Sequence, residues 1–278
     1  MKKIVFVFIF ILIGTNCFTQ INCDAVFEKD SPCHRACEMC YNDAKTQGRS
    51  GVQGARESQI KCDSAISLCP TFADAYYIKA IPYLKRGEFL TWKPLIDKAV
   101  EYDTVGYIGY RGGARFMFLR DGEGAIADIE LLKTKTDIIG SIYNGDYHLN
   151  CILALSYRET GDTLKCIEIL KKHIQSDNSG FFDRYHLGVT LFHAKRFDEA
   201  KEILHQQINI YPFADAYYYL ALIYSYLSDK HNALEYIQKA HVQYINDITL
   251  PGWNSYMDYP DKVYLKQIEN EIFCLQKD

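Results

Sequence analysis

The chain has 278 residues, which allows one large domain or two of ordinary size. Of these residues 48% are hydrophobic and 24% are charged, a composition that excludes an intrinsically disordered chain. A formal net charge of −4 argues against nucleic acid as a partner, because phosphate backbones favour a basic face. The sequence is rich in tyrosine, with 22 residues.

Residues 1–19 are predicted to be a signal peptide. MKK gives a positive start, IVFVFIFILIG an apolar run, and TNCFTQ a polar stretch that contains small residues suited to cleavage. The apolar run is shorter than the roughly 20 residues of a membrane span, so an uncleaved anchor is the weaker alternative. A lipoprotein anchored at Cys17 is less favoured than simple cleavage, because Gly14, Thr15 and Asn16 match a lipobox poorly. The sequence therefore predicts export to the periplasm, the outer envelope or the medium.

Residues 20–71 are predicted to form a cysteine-rich helical hairpin that turns at GRSG. Cys33 and Cys40 are seven positions apart, and so are Cys62 and Cys69, which places each pair on one helical face. Facing residues of an antiparallel hairpin have a nearly constant index sum. On that basis we predict the disulfides Cys33–Cys69 and Cys40–Cys62, and export would make them stable.

The same cysteines allow other interpretations. Cys37 would face away from these pairs towards Cys23, which gives Cys23–Cys37 as an additional disulfide. The spacing of Cys33, Cys37 and Cys40 also matches the cluster-binding signature of radical-SAM enzymes, and three thiolates on one face could hold zinc. The all-helical context and the expected oxidising compartment favour disulfides over both metal sites.

The stretch FADAYY occurs at 72–77 and again at 213–218. The residues that follow each copy align without a gap and carry apolar positions at helical spacing, then a break, then a second such stripe. Related copies between them complete a series of helix–turn–helix units within 72–247. The units cover roughly 73–105, 106–142, 147–180, 181–213 and 214–247.

This pattern resembles the tetratricopeptide repeat family, whose period is about 34 residues. The resemblance is carried by residues such as Gly188, Ala200 and Ala221, which let two helices approach closely. It implies an all-α fold, a right-handed superhelix of stacked helix–turn–helix repeats. The first unit departs from the pattern, because Trp92 stands where a small residue is expected and Pro82 interrupts the first helix.

Residues 248–278 are predicted to form a loop and a C-terminal capping helix over about 260–276. The final helix has charged residues on one face, as a cap on the last repeat requires. Trp253 is predicted to seal the junction between the loop and the repeats.

The family resemblance implies that the first helix of each unit lines a concave groove, with the fifth residue of the unit pointing inward. Four of those five positions are tyrosine and the other is Cys151. A groove of this kind suits an extended peptide, because tyrosine offers flat apolar area with a hydroxyl at its edge. The predicted partner-binding residues are Asp74, Tyr77, Tyr107, Tyr110, His148, Arg158, Tyr185, Phe192 and Tyr218. Packing of the rings between units is the alternative.

The sequence lacks a phosphate-binding glycine loop, HExxH and GxSxG, and its histidines are scattered. We therefore predict a non-enzyme without a cofactor or metal, an exported scaffold that binds a protein or peptide partner. A glycan- or small-ligand-binding envelope protein is the alternative, and a metal or redox protein that uses the N-terminal cysteines is a more remote one. Cys151, Cys166 and Cys274 are predicted to be small buried residues or free thiols.

Overall fold

A computed structural model describes residues 22–41, 54–142, 147–176, 179–250, 256–257 and 259–277. The predicted signal peptide with Cys17, the hairpin turn and Trp253 lie outside the described residues. Within the described ranges, no helix combines the length and the apolar character that a bilayer crossing requires.

The described chain is mostly helical, as the periodic apolar pattern predicts. In chain order the elements are α1 (Cys23–Val26), α2 (Pro32–Tyr41), α3 (Arg56–Leu68), α4 (Ala73–Lys85), α5 (Phe89–Tyr102), α6 (Thr104–Leu119), α7 (Gly122–Lys135), β1 (Ser141–Ile142), β2 (Tyr147–His148), α8 (Leu149–Glu159), α9 (Thr163–His173), α10 (Asp183–His193), α11 (Phe197–Ile210), α12 (Ala214–Tyr226), α13 (Lys230–Ile245) and α14 (Leu265–Lys277).

Helices α4 to α13 form five consecutive pairs, and each pair packs on the next. We number these pairs as units one to five. Helices α2 and α3 pack together and cover unit one, while α14 packs on α13 at the other end. The structure confirms the predicted fold class, a superhelix of stacked helix pairs with a disulfide-stapled hairpin before it and a capping helix after it. The short antiparallel pair β1–β2 before unit three was not predicted.

The turn between the two helices has the same backbone feature in every unit. One residue has a positive φ between 53° and 96°, the left-handed conformation that commonly ends a helix. These residues are Gly87, Arg120, Gly161, Lys195 and Ser228. In three units the second helix then begins after an aspartate whose carboxylate accepts a hydrogen bond from a backbone N–H of the first turn.

Unit one is more regular than predicted. Pro82 lies within the last turn of α4, and the helix continues without a break to Lys85. A proline near the end of a helix removes only one backbone hydrogen bond, so the helix tolerates it. Trp92 is buried on α5, at a position where the repeat pattern predicts a small residue.

Close approach of helices depends on small residues in unit four. A side chain at Gly188 on α10 would place its Cβ 2.6 Å from Cγ of Leu204 on α11. Contacts that short do not occur between carbon atoms, so the glycine sets the separation of these two helices. The observation agrees with the role predicted for Gly188.

The N-terminal hairpin contains the disulfides Cys23–Cys37 and Cys33–Cys69, with Cα–Cα distances of 5.8 and 4.9 Å. The predicted bond between Cys40 and Cys62 is not formed, and both are buried free thiols. They do face each other as the index sum predicts, but they share a hydrogen bond instead of a covalent bond. Cys33 and Cys37 are used in disulfides, so the thiolates that a zinc or iron–sulfur site needs are absent there.

Candidate functional site

All the predicted partner-binding residues lie on, or immediately before, the first helices of the units. We call the surface made by α4, α6, α8, α10 and α12 the first-helix face. From α6 onward these helices also contact one another from unit to unit, which makes the face continuous. The structure divides the predicted residues on this face into two groups with different surroundings.

The first group is a set of aromatic side chains in units one and two. The ring of Tyr77 lies 4.8 Å from that of Tyr107, tilted by 35°, and 4.8 Å from that of Tyr110 in an edge-to-face arrangement. All three rings are half-buried and pack against the main core. We call these three residues the tyrosine cluster. Edge-to-face and tilted contacts fix ring orientations, so the cluster forms a preorganised aromatic surface.

Asp74 lies one helical turn before Tyr77 and is buried. Burial raises the pKa of its carboxyl group to about 6, and a hydrogen bond from the Tyr41 hydroxyl opposes that shift in part. The same hydrogen bond ties the N-terminal hairpin to unit one. Asp74 therefore joins two parts of the fold, and little of it is exposed to solvent.

The second group lies in units three to five and is covered by the chain itself. Residues 259–264, which we call the crossing segment, run over α8, α10 and α12. Arg158 donates two hydrogen bonds to the carboxylate of Asp261, with N–O distances of 2.8 and 3.1 Å. Nδ1 of His186 lies 2.7 Å from Oδ2 of Asp261 and donates to it, because a carboxylate can only accept.

These contacts account for the ionisation of Asp261. Burial opposes its charge, but the Arg158 guanidinium and the His186 hydrogen bond hold its pKa well below the usual range. The backbone carbonyl of Asp261 accepts a hydrogen bond from the Tyr185 hydroxyl. Tyr185 is 0% exposed, so this predicted groove residue lies beneath the crossing segment, and burial raises its pKa well above 10.

Asp215 holds both ends of the loop that carries the crossing segment. Its two carboxylate oxygens accept hydrogen bonds from the backbone N–H groups of Leu250, at 2.8 Å, and Val263, at 2.7 Å. Burial raises its pKa, and these two hydrogen bonds oppose the shift.

Towards the other end of the molecule, the ring of Tyr256 lies against Gly87, where an added Cβ would be 2.8 Å from the ring.

The remaining predicted residues serve packing. His148 is buried as the N-cap of α8, and its ring lies 4.4 Å from the ring of His173, tilted by 33°. Cys151 is fully buried and donates a hydrogen bond to Asp183. Phe192 is buried among aromatic rings of units four and five.

Tyr218 lies half-buried in a smaller core formed with the capping helix. None of these side chains joins the tyrosine cluster, so the predicted inward-facing tyrosines do not form one continuous row along the face.

Sequence reasoning missed four polar residues that organise this face: Asp183, Asp215, Asp261 and His186. A signal for one of them was present. Asp74 and Asp215 occupy the second position of units one and five, and both carboxylates are buried; Asp183, also buried, is the third residue of unit four. Nothing periodic marks Asp261, which lies outside the repeats. Among the residues described, no group of three or more histidine, cysteine or acidic side chains could hold a metal ion.

Comparison with sequence families gives two matches. Residues 141–207 match the family described as anaphase-promoting complex, cyclosome, subunit 3, and residues 214–240 match the family described as tetratricopeptide repeat. No curated protein sequence matches the chain.

Several solved structures share the fold. The chain is similar to PilW, described as a widely conserved type IV pilus biogenesis factor, with 12% identity, a TM-score of 0.60, and coverage of 77% of this chain and 94% of that one. It is similar to Pseudomonas aeruginosa PilF with 12% identity, a TM-score of 0.57, and coverage of 77% and 92%. A tetratricopeptide repeat protein from Parabacteroides merdae matches with 12% identity, a TM-score of 0.51, and coverage of 88% and 99%. At these identities the likeness shows the fold alone.

Proposed function

Because the chain is a tetratricopeptide repeat protein, we propose that it is a scaffold that binds an extended segment of another protein on its first-helix face. The observation that carries this proposal is the tyrosine cluster. Its three rings are half-buried, held in fixed orientations and placed side by side on two neighbouring first helices. Tyrosine is enriched among residues that dominate binding energy, because it buries a large rigid area and keeps a hydroxyl for hydrogen bonding.

The location of the cluster supports a protein segment as the ligand. The crossing segment covers the face in units three to five, whereas the cluster lies in units one and two. An extended segment that contacts Tyr77, Tyr107 and Tyr110 in turn would follow the path of the first-helix face. We therefore place the main contacts of the partner in units one and two.

Replacing Tyr77 and Tyr110 together by alanine is expected to weaken partner binding at least tenfold, because hot-spot tyrosines each contribute about 2 kcal/mol or more. The measurement is quantitative capture of cross-linked partners from the envelope fraction, with the wild type beside the double variant. Phe273→Ala is a matched control, since Phe273 is an exposed aromatic residue on the capping helix. Thermal unfolding of each chain separates lost binding from lost folding. Partner capture that is equal for the double variant and the wild type would show that the cluster is not the binding surface.

We further propose that the chain is exported. The N-terminal apolar stretch and the two disulfides of the hairpin support this proposal, since disulfides persist in oxidising compartments. We expect intact-mass measurement on protein from the envelope fraction to show removal of about the first 19 residues, as the signal-peptide pattern predicts, and oxidation of the hairpin cysteines. Phe8→Asp interrupts the apolar stretch and is expected to leave an uncleaved, reduced chain inside the cell. Export would be contradicted if the wild-type chain kept its first residues and its hairpin cysteines were reduced.

A further inference from the structure

The crossing segment contacts the first-helix face in the way that a bound peptide contacts a receptor. A side-chain carboxylate, that of Asp261, meets a buried guanidinium and an imidazole, and the backbone carbonyl of the same residue accepts a hydrogen bond from Tyr185. Pro260 and Val263 on either side are buried. The recognition is therefore centred on one acidic residue, with a buried apolar residue directly before it and another two positions after it.

On the first-helix face, this contact is made by buried polar side chains that require a charged or hydrogen-bonding partner. Arg158, Tyr185 and His186 come from α8 and α10, and their side chains are buried or nearly so. Arg158 also donates to Thr190, which fixes the guanidinium towards Asp261. Nε2 of His186 lies 3.3 Å from the Tyr147 hydroxyl, which orients the imidazole. Without a carboxylate at this place, a buried cation would lack its counter-charge, so the surface selects an anionic group.

The crossing segment is not part of the helical stack that it covers. It has no helix or strand of its own, and Asp261 has a positive φ of 63°, a left-handed conformation that aspartate adopts more readily than most residues. Its hydrogen bonds to the face are made by Asp261 and, through Asp215, by Val263. The helices beneath pack against one another through their own apolar residues.

We propose that the crossing segment is an intramolecular ligand of the first-helix face in units three to five, and that a partner segment which binds there displaces it by supplying a carboxylate to Arg158 and His186. The inference rests on the proposed scaffold function. It adds the chemistry of the partner, an acidic residue with apolar residues close to it in sequence, and a competition that limits access to the face in units three to five.

The first test is hydrogen exchange on the full chain with the substitution Asp261→Asn. The change keeps the size of the side chain and removes its charge, so we expect amides of residues 261–264 to exchange at least tenfold faster while those of α10 keep their rates. Asp198→Asn is the matched control, because the side chain of Asp198 is 91% exposed on α11. A parallel rise in α10, or a chain that does not fold, would show that the segment belongs to the fold and would overturn the proposal. Tyr185→Phe removes only the hydroxyl that holds the carbonyl of Asp261 and is expected to give a smaller increase confined to the same amides.

The second test uses a labelled synthetic peptide, YMDYPDKVY, which corresponds to residues 256–264. We expect the Asp261→Asn chain to bind this peptide at least tenfold more tightly than the wild type, whose own segment competes. The peptide with Asn at the position of Asp261 is expected to bind at least tenfold more weakly. Equal binding by the two chains would overturn the competition, and equal binding of the two peptides would overturn the need for a carboxylate. Neither test uses a cellular partner, so a failure here is distinct from a failure of the tyrosine-cluster experiment.

Discussion

Replacing Trp92 by alanine is expected to lower the free energy of unfolding by about 3–5 kcal/mol. Trp92 is 1% exposed on α5 and belongs to the main core cluster, together with Ala80, Leu84 and Ile96 of the same unit. Removing the indole deletes a large apolar area and leaves a cavity that the surrounding helices cannot close fully. Urea denaturation followed by circular dichroism measures the change.

Two further variants show whether the effect comes from volume. Leu90 is on the same helix and 95% exposed, so Leu90→Ala should change stability by less than about 0.5 kcal/mol. Trp92→Phe keeps an aromatic ring and removes the indole N–H, which has no hydrogen-bond partner. It should therefore cost clearly less than Trp92→Ala. If Leu90→Ala were as destabilising as Trp92→Ala, the packing explanation would be wrong.

Removing the Cys33–Cys69 disulfide by a double substitution to alanine is expected to cost about 3–4 kcal/mol, mainly because the unfolded chain gains freedom. The bond closes a loop with a sequence separation of 36, and it joins α2 to the residue that follows α3. Phe72 and Ala75 lie in the same small core, so the bond also holds the hairpin against unit one. The measurement is urea denaturation under oxidising conditions.

The controls for this prediction use other cysteines. Cys274 is an exposed free thiol, so Cys274→Ala should leave the denaturation midpoint unchanged. Removing Cys23–Cys37, with a separation of 14, should cost about 3 kcal/mol, because the closed loop is shorter. The prediction fails if the chain without Cys33 and Cys69 unfolds at the same urea concentration as the wild type.

The repeat pattern predicted local packing well. Tyr76 and Tyr217, the first tyrosines of the two FADAYY stretches, are equivalent positions in the first helices of units one and five. In the structure each lies near a tyrosine of the second helix of its own unit, Tyr102 at 5.6 Å and Tyr236 at 6.1 Å. Such contacts follow from helical periodicity and a short turn, both of which are visible in the sequence.

The covering of the first-helix face could not be predicted in the same way. Tyr185 lies on the helix where the pattern placed it, but the residue that covers it, Asp261, is 76 positions later and outside the repeats. An irregular segment has no periodicity that would reveal what it touches. For Cys40 and Cys62 the sequence predicted the proximity correctly, because that depends on geometry. It did not predict that they are thiols, because oxidation depends on chemistry that spacing does not encode.

The contact between Tyr256 and Gly87 ties the C-terminal segment to the number of repeats. Tyr256 reaches the turn of unit one, while Val263 is held by Asp215 in unit five. The intervening chain can span at most about 3.5 Å per residue. An added unit would lengthen the stack by roughly a helix diameter, about 10 Å. A longer array would keep both contacts only with a C-terminal segment that reaches correspondingly farther.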